Sequence, residues 1–460
     1  MFAAPSISWV PNDNWTVLGE MEFIQQKIPF DTGLIAVEDE FPLPASTFLG
    51  EPALGKTRLQ ALTTSFNVEY KRAELWGLSA KLLWQGSDID GFRAEPDELD
   101  DENSAGEFLL SRAVQHESDD SDGFSAQFEF SRKISAARVA QQILAGYEYV
   151  RVDNHVVLSE SDVEEDAFEI DIFDVVYGLN SPALAALRET DEVLHQHSVY
   201  LHDFISLGDK LRVLLGTRLD RIEIDINDIF IGTDVHQSDT ELSSRAGLVY
   251  AVNSMLSLFV GYGESLDPNE GLTPQGSPLK PSGGKSVEGG IKFRHPFMNL
   301  SVDASLFSIE KTNVTVDAPG APGFEIQTAR QKSDGFDMLM SFSPAAWLHS
   351  NISYAYTDAE IFDDPELADG TQPINVPLHK LVLSSFISLR IRSENDLQAG
   401  LSFSYRSAQK ASLDPDELTV KLPGYWLGDL FVNYTLSPRI SLGLNINASS
   451  VEFMGQRRHR

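Results

Sequence analysis

Residues 243–313 decide the fold: SSRAGLVYAVNSMLSLFVGYGESLDPNEGLTPQGSPLKPSGGKSVEGGIKFRHPFMNLSVDASLFSIEKTN. Read with period two, Ala246, Leu248 and Tyr250 share one face, and Arg245, Gly247 and Val249 share the other. After a turn at Asn253-Ser254 the pattern returns. Leu256, Leu258, Val260 and Tyr262 line one side, while Ser257, Gly261, Gly263 and Ser265 line the other, with Phe259 the exception among them. Strands of roughly ten residues, apolar on one face and small or polar on the other, suit a wall with lipid outside and water inside. Tyr250 and Tyr262 close opposite ends of the apolar runs, where an aromatic girdle belongs. The short turn and the long loop Leu266–Pro281 give the second asymmetry of such barrels, whose periplasmic turns are short and whose outer loops are long.

Working outward, the same alternation recurs in pairs. Trp9 and Trp15 flank the turn at Pro11–Asn14. LQALTTSFNVEY and WGLSAKLLWQ pair across Arg72-Ala73-Glu74, and HSVYLHDFISL and LRVLLGTRLDRIEIDI pair across Gly208-Asp209. EFLLSRAVQHES and GFSAQFEFSRK read as two strands separated by an acidic loop, Asp119–Asp122. VAQQILAGYEYVRV runs into a loop of roughly forty residues that ends near His195. QTARQKSDGFDMLMSFSP, WLHSNISYAYTDAEI, NVPLHKLVLSSFISLRI, DLQAGLSFSYRS, GYWLGDLFVNYTL and ISLGLNINAS complete the set. The count is about nineteen strands. The fold class is all-β, an antiparallel up-and-down transmembrane barrel occupying residues 1–460.

The totals agree. No stretch approaches the eighteen apolar residues of a membrane helix. The chain has no cysteine, which removes disulfides and thiol chemistry. Its 35 basic and 69 acidic residues leave a net charge of −34, which repels nucleic-acid phosphates. The acids concentrate in Asp88–Glu102, Glu117–Asp122, Asp153–Asp174 and Asp363–Asp369, read as solvated loops between strands.

The order SxRxGLVY, LSLFVGYGESLDPNEG, KSVEGGIKF, LFSIEKTNV resembles the C-terminal barrel of TonB-dependent ferric-siderophore receptors. PSISWVPNDNWTVLGEMEFIQQKIPFDTGLIAV and the hairpin around Gly208-Asp209 resemble the same family. The resemblance implies a Gram-negative outer-membrane protein with a barrel of about twenty-two strands around an N-terminal plug. It further implies a monomer in outer-membrane lipid that takes up a ferric siderophore with no enzymatic cofactor. Transport would be energised through the TonB–ExbB–ExbD complex acting on the plug. MFAAPSISWV lacks the basic region and apolar core of a signal peptide, and the resemblance places residue 1 inside the barrel. After Asn447 the chain reads ASSVEFMGQRRHR rather than an "NLFD"-like segment with an aromatic-ended last strand, and Arg457, Arg458 and Arg460 do not suit a lipid-facing strand. The expectation is therefore a barrel trimmed at both ends, without the plug, its TonB-contacting segment or the closing strand. A plugless, porin-like passive channel, a non-functional truncated remnant and a soluble all-β protein are the alternatives.

Candidate chemistry is sparse. His195 and His197 share a strand face and could ligate one metal, with His202 and Asp203 nearby, but solvated imidazoles at a loop–strand junction are the plainer reading. GYGES (Gly261–Ser265) departs from GxSxG, and GSPLKPSGGK (Gly276–Lys285) lacks P-loop spacing. No catalytic, metal or cofactor residue is assigned. Arg245, Arg330, Arg406, Glu288 and Asp337 are read as pointing into the lumen, where inward charges need partners. Phe30, Phe173 and Tyr177 are loop aromatics that suit either contact with an iron chelate or packing within their loops, and the ligand contacts are left open.

Overall fold

Alternation builds the structure directly, because a strand in lipid must send every backbone polar group to a neighbouring strand. The computed structural model describes residues 1–451 apart from 32, 36, 38–41, 45, 73–74, 101–106, 162–168, 179–182, 231, 270, 319–324, 393–394, 412–420 and 438–439. Among the described residues eighteen long strands form one antiparallel meander. They are β1 (Ser6–Asn12), β2 (Trp15–Ile28), β3 (Thr57–Arg72), β4 (Trp76–Leu99), β5 (Leu109–Ala136), β6 (Val139–Ser161), β7 (Leu184–Leu207), β8 (Leu211–Asp228) and β9 (Thr233–Ala251). Then follow β10 (Leu256–Asp267), β11 (Ser282–His295), β12 (Leu300–Asp317), β13 (Glu325–Ala345), β14 (Leu348–Phe362), β15 (His379–Arg392), β16 (Asn395–Arg406), β17 (Tyr425–Ser437) and β18 (Ile440–Val451). Each long strand pairs with its sequence neighbour, and Phe2–Ala3 adds a short pairing beside β2. Among the described residues β1 and β18 are the edges of this sheet. Residues 452–460, including the terminal arginines, lie outside the described residues.

Register places the apolar alternates in rows. Ala246 opposes Leu215 and Tyr262, Leu248 opposes Val260, and Leu258 opposes Ile291. Leu258 is 44% and Val260 48% exposed, so this face is turned outward. On β4 the outward row is Trp76, Leu78, Ala80, Leu82 and Trp84. Two tryptophans eight residues apart, on strands tilted by about 45°, stand roughly 19 Å apart along the membrane normal. That is close to the height of an outer-membrane apolar band. Above Trp84 the same face becomes ionic, with Asp88 bridged to Arg58 at 2.7 Å and His155 to Asp191 at 2.7 Å.

The strands outrun the membrane, and here the structure corrects the sequence reading. β5 is one 28-residue strand. Asp119-Asp120-Ser121-Asp122 lies in its middle, paired with Ile89, Asp88, Ser87 and Gly86 of β4. The forty-residue loop is shorter too, because β6 continues to Ser161 and β7 begins at Leu184. The reason is common to both. Above the bilayer each face of a strand meets water or loops, so acids are tolerated and the alternation marking a lipid-facing strand disappears, while the backbone ladder runs on.

The lower turns are tight. Ala137 joins β5 to β6 at φ +50°, and Asn299 joins β11 to β12 at φ +43°. A left-handed alanine is strained where asparagine or glycine is not. Ala137→Gly is expected to stabilise the barrel by about 0.5–1 kcal/mol in denaturant unfolding from lipid vesicles. In the same assay Leu258→Arg is expected to cost about 2–4 kcal/mol, because it places a guanidinium against hydrocarbon, whereas Gly261→Ser on the inner face should change little.

Candidate functional site

The inner face carries the polar side chains that the outer face excludes. Its centre is Arg218 on β8. The guanidinium donates to Glu148 Oε2 at 2.7 Å, to Ser198 Oγ at 2.6 Å and, through Nε, to Asp220 Oδ1 at 2.8 Å. Ser198 and Gln196 also donate to Asp220 at 2.6 and 2.9 Å. Beside it Gln127 donates to the Tyr200 hydroxyl, which donates to Glu129 Oε1, each at 2.8 Å. The Tyr200 ring lies over Gly146, where an added Cβ would sit 2.2 Å from a ring carbon, so this approach requires glycine. Four strands thus meet in one charge-paired patch on the wall of the lumen.

The mouth is organised by loops. Leu43 and Leu49, from the stretch between β2 and β3, pack on Leu110 at the tip of β5 and on Ile170 and Ile172 of the segment that follows β6. Arg112, fully buried, donates from one terminal nitrogen to the carbonyls of Leu49 and Gly50, both at 3.0 Å. Burial pulls the Arg112 pKa below the ordinary guanidinium value, and the neighbouring Glu51 acts in the opposite sense. The Glu51 carboxylate accepts from the backbone N–H groups of Ala53 and Gly178, joining this loop to the segment that follows β6. A second cluster, Leu194, Ile222, Ile224 and Ile226, packs with Leu272 from the loop between β10 and β11.

The residues singled out from sequence divide. Arg245 faces the lumen and donates to His202 Nε2 at 2.7 Å. Glu288, Asp337 and Arg406 share the inner face by register. Arg330 does not. It alternates with Phe336 and Met338, pairs with Phe362, and faces outward, where it bridges Glu310 and Asp363 at 3.6 and 3.2 Å. No register shift separates it from the inward Asp337, so alternation along β13 itself puts Arg330 outward, at a height where its ion pairs replace lipid contact. His195 and His197 lie on the outer face, hydrogen-bonded to Tyr149 and Tyr147 at 3.0 and 2.8 Å, while His202 faces inward. Among the described residues no three His, Asp or Glu side chains form a metal-ligating group. GYGES lies within β10, and the GSPLKPSGGK stretch runs from loop into β11 with no helix.

The loop aromatics both pack and stay accessible. Tyr177 donates to Phe48 O at 2.8 Å and contacts the Phe48 ring, Phe173 meets Phe108 edge-on at 5.3 Å, and Phe30 lies over Arg93 at 5.4 Å. Each remains exposed on its other side. The sequence reading singled out neither Arg218 nor Arg112: the i, i+2 spacing of Arg218 and Asp220 on one strand face was a signal it could have used, whereas Arg112 carried none, since it donates to carbonyls 62 and 63 residues away.

Residues 21–447 match the family model described as TonB dependent receptor-like, beta-barrel. The chain belongs to that family. TonB-dependent receptors are outer-membrane receptors and transporters rather than enzymes. This receptor barrel is 27% identical over 454 residues to the metal-pseudopaline receptor CntO of Pseudomonas aeruginosa, covering 97% of this chain and 63% of the relative. It is 24% identical to the ferrioxamine B receptor of Salmonella typhimurium, covering 96% and 61%. The chain therefore spans a little over three-fifths of the length of these relatives. The siderophore receptor PiuA and the ferric preacinetobactin receptor BauA, both from Acinetobacter baumannii, superpose with TM-scores of 0.82 and 0.81, each at 18% identity and covering 97% of this chain. They cover 69% and 67% of those receptors, and they show that the fold is shared.

Two outcomes follow from the site. Arg218→Ala is expected to destabilise the barrel by roughly 1–3 kcal/mol, because it leaves the buried Asp220 carboxylate without its counter-charge, with only the Ser198 and Gln196 donors. The exposed Arg221→Ala should stay within about 0.5 kcal/mol in the same chemical denaturation. Asp119 lies above the apolar band, where burial, and then Glu117 and Asp120, raise its pKa. A raised folded-state value means that ionised Asp119 opposes folding. The penalty is absent below the ordinary carboxylate range, develops as pH rises through it, and is complete above the raised value. Asp119→Asn is therefore expected to be more stable than wild type at neutral pH, with the gap closing below roughly pH 4.

Proposed function

We propose that this barrel is the wall of an outer-membrane receptor that takes up a metal chelate, of the ferric-siderophore class, with energy delivered through the TonB–ExbB–ExbD complex. The observation that carries the reading is the family match along residues 21–447. The structure supports it in three ways. A lipid-facing exterior encloses a polar lumen, aromatic side chains stand exposed at the mouth, and loops are knitted to strand tips by Arg112 and Glu51.

In this reading the barrel binds and orients, and no covalent step is involved. Phe30, Phe173 and Tyr177 offer apolar and hydroxyl contact to a chelate, while the charge-paired wall around Arg218 keeps the lumen hydrated and open to passage. A plug would find donors and acceptors on that wall. Lipid surrounds a single copy.

The test is uptake of radiolabelled iron chelates by a siderophore-receptor-deficient strain carrying the full-length gene, with and without tonB. Uptake of at least one chelate that requires both genes is expected. Tyr177→Ala should raise the half-saturating concentration several-fold with little change in maximal rate. Failure with every chelate, together with steady ion conductance of the reconstituted protein, would establish the passive channel instead.

A further inference from the structure

One groove on the outer wall lies near its periplasmic rim, between β2 and β6. It measures about 530 Å³ and is lined by Trp15, Val68, Tyr70, Leu78, Ala80, Phe128 and neighbouring side chains. Its floor is low because Ala80 stands in the row between Val68 and Phe128, and Ala145 in the row beyond Phe130. One flank is the Trp15–Tyr70 ring pair, with centroids 4.8 Å apart, and the other is Phe128, 51% exposed. All of these project toward lipid, so the groove opens into hydrocarbon.

The next row toward the periplasm is different in kind. Ladder register sets Arg72, Trp76 and Arg132 side by side on the same outward face, immediately below Tyr70, Leu78 and Phe130. Both arginines are exposed, and among the described residues neither is ion-paired. Two free guanidiniums in one row are notable in a chain with 69 acidic and 35 basic residues, where outward arginines such as Arg58, Arg151 and Arg221 are bridged to carboxylates. Trp76, between them, contacts the Tyr70 ring at 5.2 Å and marks the interface level.

An apolar groove that ends at paired guanidiniums at headgroup height matches one amphiphile. We infer that this face is a binding site for an anionic glycerophospholipid of the periplasmic leaflet. Its phosphate would be held by Arg72 and Arg132 and one acyl chain would lie along Ala80. Guanidinium forks suit phosphate oxygens, and the apolar lining excludes water from the chain. The leaflet follows from position, since the row adjoins the short turns.

Native mass spectrometry tests this on the full chain extracted from vesicles of mixed phosphatidylglycerol and phosphatidylcholine. One phosphatidylglycerol per barrel is expected to survive extraction in preference to phosphatidylcholine. The double variant Arg72→Gln/Arg132→Gln should retain it roughly ten- to thirtyfold less well. Ala80→Phe, which fills the floor, should also lose it. Heat-modifiable migration in gels checks that each variant still forms a barrel. Retention equal to wild type in either folded variant, or equal retention of the two lipids, would overturn the assignment.

Discussion

The hydrogen-bond ladder between neighbouring strands is the constraint on which everything else rests. Hydrocarbon offers no partner to a backbone N–H or C=O, so each strand must be satisfied by the strands beside it. Once that is met by the strand meander, side chains are free to specialise by face. Leucine, valine and aromatic residues go outward, and serine, glycine and paired charges go inward. The ladder also explains how β5 carries an acidic run without breaking, because backbone pairing does not depend on what the side chains meet above the bilayer.

Charge is handled differently on the two sides of the wall. Outside and above the apolar band, bridges such as Arg58–Asp88 and Arg221–Glu223 lie in solvent and contribute little each. Inside, Arg218 links Glu148, Ser198 and Asp220 from three neighbouring strands, and Asp220 is nearly inaccessible. Groups buried like this are costly to leave unpaired, so this patch fixes the relative height of β6, β7 and β8 more firmly than any surface pair. The mouth repeats the principle with backbone partners, where Arg112 ties a loop carbonyl pair to a strand tip. The rigid part of the wall and the loops that would meet a ligand are therefore joined by buried polar contacts rather than by chain connectivity alone.

The membrane half of the molecule was legible residue by residue. The faces assigned to Ala246, Leu248, Tyr250, Leu258, Val260 and Tyr262 are those observed, and Tyr250 and Tyr262 do stand at opposite ends of the apolar run. Legibility failed where the environment stopped being two-sided. Asp119–Asp122 read as a loop because acids normally avoid strands. Arg330 was read as lumenal on its charge, although unbroken alternation from the inward Asp337 puts it on the outer face, above the apolar band where a charge is tolerated. Tyr177 and Phe173 could be named as candidates, but their partners, Phe48 and Phe108, come from other segments.

By itself, the sequence determined the all-β class, the lipid-facing register, the tight lower turns and the receptor family, because a bilayer imposes period-two alternation that any local window displays. Only the tertiary structure decided how far each strand rises above the membrane and which loops knit together at the mouth. It alone placed Arg218 at the centre of a lumenal network, and Arg72 beside Trp76 and Arg132 beneath a groove. Those features depend on register between strands tens of residues apart, and register is set by the whole ladder rather than by any one strand.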